Sequence, residues 1–135
     1  MLRFGLPYFL LLAAILISSC GSPVGQFAFK RPSDDVYRKP VQQQETNSAE
    51  ELQWVCTFDS IFLRREISVI VQQEDVTWTE IAAWPDYLSS EKLSVFGTAD
   101  GYPPGKYKIV IIENKTGTSM ASQEFVVYED ENEAD

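Results

Sequence analysis

The sequence predicts an all-β fold, a small antiparallel β-sandwich, from three observations. Short runs of alternating apolar and polar residues fill residues 51–128 and are separated by turn residues. Two of these runs, "REISVIVQQ" and "GKYKIVIIE", are rich in the β-branched residues that favour strands. The tetrapeptide "NKTG" at 114–117 lies between two such runs, as the loop of a β-hairpin does. We expect six or seven strands in this domain.

The alternation within each run predicts which side chains face the core, because successive side chains of a strand point to opposite faces. The first run, "LQWVCTF", has an apolar residue at every second position, and the later long runs repeat the pattern. "VTWTEIAAW" carries Val76 and Trp78 among threonines, and "LSVFG" forms a further short strand. The predicted inward-facing residues are Leu52, Trp54, Cys56, Phe58, Ile67, Val69, Val71, Tyr107, Ile109, Ile111, Phe125 and Val127.

The last two runs also resemble a known architecture. The segment "YPPGKYKIVIIENKTGTSMASQEFVV" is similar to the last two strands of immunoglobulin-like and fibronectin type III-like sandwiches. The resemblance implies that Tyr107 is a corner tyrosine, whose hydroxyl bonds to upstream backbone, and that Trp78 is the core tryptophan of the third strand. Ile109 stands where antibody domains have their second cysteine, so the inter-sheet disulfide of those domains is not expected. An unrelated small β-barrel is the alternative.

The first nineteen residues have the layout of a secretory signal peptide. Arg3 precedes an uncharged apolar run at 4–17, and the small residues Ser18 and Ser19 follow it. As a helix this run would span about 21 Å, because each residue adds about 1.5 Å. The hydrocarbon core of a membrane is about 30 Å thick. The run therefore predicts a cleaved signal and not a membrane span.

The residues Ile17-Ser18-Ser19-Cys20 resemble the lipobox of bacterial lipoproteins. The resemblance implies that Cys20 becomes the mature N-terminus and carries a diacylglycerol, so that the protein is attached to a membrane of the cell envelope. Gly21 is not the aspartate that retains many lipoproteins in the inner membrane, and the outer membrane is therefore favoured. An ordinary signal peptide with a chance cysteine is the alternative.

The segments on either side of the domain lack strand patterns. Residues 20–50 contain three prolines and a glutamine run, without sustained apolar periodicity, and we expect a flexible tether after the lipidated cysteine. Residues 129–135 contain five acidic residues and almost no apolar side chain, which is typical of a disordered tail.

The composition bears on the class of function. The net charge is -9, with 20 acidic and 11 basic residues, which argues against a nucleic-acid partner because phosphate binding needs a basic surface. The chain has no histidine, the commonest general base and a frequent zinc ligand. Cys56 lies at an inward position of its strand and is expected to be an inert core residue; an intermolecular disulfide is the alternative, because the cell envelope is oxidising. We therefore expect no catalysis, no cofactor and no metal.

Two surfaces are candidates for binding a protein partner. Val110, Ile112, Val126 and Tyr128 alternate with the predicted core residues of the last two strands, and together they would form an exposed apolar patch. The alternative is that another segment covers them, or that they reflect strand propensity alone. The second candidate is the stretch "WPDYL", interpreted as a loop in which Trp84 and Tyr87 are exposed; aromatic residues there can equally close the end of the core.

The sequence as a whole predicts a non-catalytic envelope lipoprotein. Its domain would be anchored to the membrane through Cys20 and would bind a protein partner or help to assemble an envelope complex. The alternative is an envelope enzyme or a hydrolase inhibitor that acts through acidic residues or through an exposed segment at 99–105.

Overall fold

The computed structural model describes residues 23–40 and 43–129. The predicted signal peptide, Cys20 and residues 130–135 of the predicted tail lie outside the described residues. No helix in the described part of the chain is long and apolar enough to cross a membrane. The eight strands found there are β1 (Gly25–Lys30), β2 (Gln44–Asn47), β3 (Leu52–Phe58), β4 (Arg65–Asp75), β5 (Thr77–Leu88), β6 (Ser94–Ala99), β7 (Gly105–Glu113) and β8 (Ser119–Tyr128).

The strands form two sheets, which confirms the prediction of a small β-sandwich. One sheet has three strands in the order β1-β3-β6, and the other has five in the order β2-β8-β7-β4-β5. Neighbouring strands are antiparallel, except that β2 runs parallel to β8 at the edge of the larger sheet. Residues 52–128 contain six strands, as the sequence predicts, and the sandwich gains two further strands, β1 and β2, from the preceding segment.

The core lies between the two sheets and consists of the predicted inward-facing residues together with additions from β1, β5, β6, β8 and the loop at 59–64. All twelve predicted residues are buried. Trp54 lies at the centre, directly opposite Gly97 of β6, and a Cβ atom at Gly97 would overlap the indole ring. Glycine at this position thus provides the space that the largest buried side chain needs.

The predicted flexible tether is wrong for much of residues 20–50, because β1 and β2 belong to the sandwich. The β1 strand pairs along its whole length with β3, and its Phe27 and Phe29 are 5% and 3% exposed. The short and polar β2 is held through its parallel pairing with β8. The folded domain begins at Gly25, and its first strand supplies two aromatic rings to the core.

The predicted role of Trp78 as the core tryptophan is also wrong. Ile81 is an extra residue in β5, because Val71 lies opposite Ala82 and the next residue, Gln72, lies opposite Glu80. Beyond this bulge Trp78 lies on the outer surface, where the Lys108 ammonium is 4.3 Å from the centre of the ring. The core tryptophan is Trp54 of β3.

Tyr107 makes the backbone contact that the resemblance implies. Its hydroxyl donates a hydrogen bond to the carbonyl oxygen of Pro103 at 2.5 Å. Its ring packs in a cluster with those of Tyr102 and Phe125, at centroid distances of 5.1 and 5.3 Å, and those two rings are 6.4 Å from each other. Burial, and to a smaller degree the nearby Tyr102, raises the pKa of the Tyr107 hydroxyl. The contact joins the start of β7 to the turn that precedes it.

The strand directions define two ends of the sandwich. At one, which we call the Gly25 end, β1 begins, β3 ends opposite Gly25, and β4 begins after the loop at 59–64. At the other, which we call the Val76 end, β4 turns into β5 through Val76, and β8 ends at Tyr128. The first strand therefore begins at one end of the domain, and the last strand finishes at the other.

Candidate binding surface

Two large apolar side chains project from the loop at 59–64. Phe62 is 91% exposed and Leu63 is 78% exposed, whereas the preceding Ile61 is buried in the core. The buried Ile61 anchors the loop to the core, and the side chains of the next two residues are exposed to solvent. Such a pair is costly to leave solvated, because burying a side chain of this kind contributes about 1.5–3 kcal/mol. We call Phe62 and Leu63 the apolar tip.

Arg64 connects the apolar tip to strand β5. Its guanidinium carbon lies 4.0 Å from the centre of the Tyr87 ring, and its Nε donates a hydrogen bond to Glu66 Oε1 at 2.8 Å. The hydrogen bond to Glu66 raises the pKa of the Arg64 guanidinium above its ordinary value. The loop is thus tied to β5 by a cation-π contact immediately after its apolar residues.

Lys92 contacts the same part of β5. Its ammonium forms an ion pair with Asp86 at 3.0 Å and donates to the carbonyl oxygens of Tyr87 and Ser94 at 3.1 and 3.0 Å. It also lies 5.0 Å from the centre of the Tyr87 ring. Tyr87 is therefore half-buried, and its ring lies close to two cations.

A further set of contacts joins the start of β4 to the end of β7 beneath the loop. Arg65 forms an ion pair with Glu113 at 2.5 Å, and the Asn114 amide donates to the Glu66 carbonyl at 3.0 Å. Ser68 Oγ lies 2.6 Å from Asn114 Oδ1. The apolar tip therefore projects from a surface held by several hydrogen bonds.

The predicted apolar patch on the last two strands does not form. Val110 is only 8% exposed, although Ile112 and Val126 are half-buried and Tyr128 is exposed. Val110 lies opposite Ser122, whereas Val126 lies opposite Lys106, so the two valines are separated by four residues along the sheet. That is about 14 Å at about 3.4 Å per residue. Tyr128 instead donates a hydrogen bond to Glu45 at 2.9 Å, which raises the pKa of its hydroxyl.

The second predicted surface is a strand and not a loop, because residues 84–88 belong to β5. Trp84 is directed inward and its ring centre is 6.3 Å from that of Trp54, so it closes the side of the core. Tyr87 faces the opposite side of the strand and contacts Arg64. Of the two aromatic residues, only Tyr87 lies near the apolar tip, through its contact with Arg64.

The Cys56 thiol is buried, as the sequence predicts, and it forms no disulfide in the described part of the chain. Burial raises the pKa of Cys56 from 9.0 to about 12. The thiol is therefore protonated at neutral pH and closed to solvent, which fits a core residue and not a nucleophile.

Two shallow depressions flank β8. One, of about 380 Å³, is lined by Gln43, Lys108, Ser122, Gln123 and Glu124. The other, of about 300 Å³, includes Lys39 and Gln26 in its lining. Each is lined mainly by polar side chains, and neither brings two carboxylates together. Across residues 23–40 and 43–129, no three of the His, Cys, Asp and Glu side chains are placed to hold a metal ion.

Sequence reasoning missed the apolar tip. The run "SIFLRR" shows three apolar residues followed by two arginines, and it has neither the strand period nor a glycine or proline to mark a turn. The exposure of Phe62 and Leu63 depends on Ile61 alone turning inward, which the pattern of residue types does not determine.

Comparison with known proteins identifies no family and no curated relative for this chain. No protein-family model matches the chain, and no curated protein matches it.

Proposed function

We propose that this chain is a lipid-anchored, non-catalytic binding protein of the bacterial cell envelope, attached through Cys20. The observation that carries the proposal is the sequence Ile17-Ser18-Ser19-Cys20 immediately before a folded domain that begins at Gly25. The apolar run before it and the small residues at the cleavage point are those of a lipoprotein signal. Two or three acyl chains at one cysteine would make the attachment effectively permanent.

The domain belongs, in this proposal, to the immunoglobulin-like sandwiches. Support comes from the strand order, in which β1, β3 and β6 correspond to strands A, B and E of those domains, and β8, β7, β4 and β5 to G, F, C and C′. The corner tyrosine, Tyr107, lies near the start of β7, the counterpart of strand F. Trp54 differs from the family pattern, because it lies on the counterpart of strand B.

Binding is favoured over catalysis by the kind of surface that the domain presents. The apolar tip and its flanking Arg64 and Tyr87 form an exposed amphipathic surface on a hydrogen-bonded base. Such surfaces serve recognition, since they gain free energy when a partner removes them from water. We assign the binding role to this surface.

The anchor can be tested by mass spectrometry of the protein from a bacterium that processes lipoproteins. We expect a mature chain that begins at Cys20, with a diacylglycerol on the sulfur, recovered from the membrane fraction. Cys20→Ser should abolish both cleavage and lipid attachment, whereas Cys56→Ala is the matched control and should leave both intact. A mature N-terminus at another residue, or an unmodified Cys20 sulfur, would contradict the proposal.

A further inference from the structure

We infer that the apolar tip, Phe62 and Leu63, inserts into the lipid bilayer to which Cys20 is attached, so that the domain has a second membrane contact that fixes its orientation. This inference rests on the proposed lipidation of Cys20. It identifies the partner of the candidate binding surface as a lipid surface.

The position of the first strand supports this assignment. Gly25 lies directly opposite Phe58, the last residue of β3, and the loop that carries the apolar tip begins one residue later. Four residues lie between Cys20 and Gly25, and the five Cα–Cα steps that join the two span at most about 18 Å in any conformation. A lipid anchor at Cys20 therefore holds the Gly25 end, and with it the apolar tip, next to the membrane surface.

The size of the apolar tip favours lipid over a protein partner. A phenylalanine and a leucine together expose roughly 300 Å². Each side of a stable protein interface contributes about 800 Å². Two side chains are sufficient for a membrane contact that is already held by acyl chains, because the anchor has removed most of the entropic cost of association.

The residues around the apolar tip also suit the boundary between lipid and water. The Arg64 side chain is 60% exposed beside the tip, and its guanidinium is an effective ligand for phosphate groups. Tyr87, which the guanidinium covers, is one of the amphipathic aromatic residues enriched at membrane interfaces. Val24, 70% exposed, adds a third apolar side chain at the same end.

The distribution of charge agrees with this orientation. The segments 59–66, 89–93 and 113–118, which lie at the Gly25 end, contain four acidic and four basic residues. The chain as a whole has a net charge of -9, and the five acids at 129–135 follow β8, which ends at the Val76 end. The end nearest the lipid is therefore neutral, and the acidic tail starts at the end farthest from an anionic surface.

The test uses the lipidated protein in vesicles of phosphatidylethanolamine and phosphatidylglycerol. Leu63→Cys is labelled with an environment-sensitive fluorophore, and quenching by lipids with brominated acyl chains is measured. Val76→Cys is the matched control, because Val76 is also apolar and fully exposed but lies at the opposite end. Cys56 is buried and should remain unlabelled. We expect several-fold stronger quenching at residue 63 than at residue 76.

A second variant tests the insertion itself. In Phe62→Asp carrying the residue 63 label, the quenching should fall to the level of the Val76→Cys control, because a carboxylate is costly to place in lipid. The protein should still float with the vesicles, since the acyl chains remain. Circular dichroism checks that the variant is folded, and the exposed position of Phe62 predicts that it is.

The possible failures can be told apart. A protein that does not float with the vesicles, or whose Cys20 accepts the fluorophore, overturns the proposed anchor and the inference with it. A protein that floats but is quenched equally at residues 63 and 76 overturns the membrane contact alone. If residue 63 is shielded from aqueous iodide but is not quenched by brominated lipid, the apolar tip contacts protein, and the inference is wrong.

Discussion

The guanidinium of Arg64 lies 4.0 Å from the ring centre of Tyr87 and joins the loop at 59–64 to strand β5. This contact restricts the loop immediately after its two exposed apolar residues. Neither Arg64 nor Tyr87 belongs to the buried core. Loss of their contact should therefore affect the loop locally and leave the stability of the sandwich unchanged.

We expect Arg64→Ala to increase the hydrogen exchange of the loop amides at 60–64 several-fold and to leave the denaturant midpoint of the domain almost unchanged. The reason is that regions held by few contacts open locally at low cost, independently of global unfolding. Exchange measured by mass spectrometry checks the prediction.

Lys115→Ala is the control, because it removes an exposed cation from the neighbouring β7–β8 turn. It should leave exchange in the 60–64 loop unaltered. Equal exchange in both variants would show that Arg64 does not order the loop.

The hydroxyl of Tyr107 should contribute measurably to stability. Tyr107→Phe removes the hydrogen bond to Pro103 and keeps the stacked ring, so we expect a loss of about 1 kcal/mol in the free energy of unfolding. Urea denaturation gives the value. Tyr128→Phe, which removes an exposed hydroxyl bonded to Glu45, should have a smaller effect. A larger loss of unfolding free energy for Tyr128→Phe than for Tyr107→Phe would refute the structural importance of the hydrogen bond between Tyr107 and Pro103.

The first strand offers a direct test of where the folded domain begins. Phe29 is 3% exposed in the core, and Phe29→Ala should cost about 3–5 kcal/mol, the usual range for a buried phenylalanine. Val36→Ala, at a 57% exposed position of the following loop, should change the unfolding free energy by less than about 0.5 kcal/mol. A flexible tether would predict that both substitutions are neutral, and thermal unfolding distinguishes the two cases.

The strands between residues 52 and 128 could be predicted from the sequence because their alternation extends over many residues. β1 was missed because only Phe27 and Phe29 alternate in it, and Pro23 and Pro32 stand on either side of it. β2 has no apolar pattern, and its conformation depends on backbone pairing with β8. Both strands form because they pair with strands that are distant in the sequence. The local pattern of residue types gives no information about such pairing.

The exposed apolar residues of the domain were less predictable from the sequence than its strands. The pairing of Val110 with Ser122 follows from an antiparallel register, and this register separates the four residues of the predicted patch. The side-chain alternation alone places them on one face without fixing their distance along it. The exposure of Phe62 and Leu63 could not be predicted from periodicity, because residues 59–64 form a loop between β3 and β4.

The buried thiol of Cys56 predicts a pH dependence of stability. Its pKa is raised from 9.0 to about 12 in the folded state, so the folded protein retains the proton over a range in which the unfolded chain loses it. The contribution is complete below pH 9 and is lost as the pH rises toward 12, by up to about 1.4 kcal/mol per pH unit. Urea midpoints measured across this range should fall more steeply for the native protein than for Cys56→Val.

The comparison with Cys56→Val also separates the thiol from the tyrosines. Burial raises the pKa of Tyr102 and Tyr107 in the same direction, and both chains keep those residues. Parallel midpoint curves for the two proteins would mean that the thiol makes no contribution.

The outer edge of β5 has a consequence for self-association. A twelve-residue strand at the margin of a sheet exposes a ladder of backbone groups, which can template the addition of strands from other molecules. Pro85 lacks the N–H that an incoming strand would need, and the extra residue Ile81 interrupts the register. These two interruptions shorten the uniform stretch of edge to which other strands could add, and they oppose fibril growth at high protein concentration.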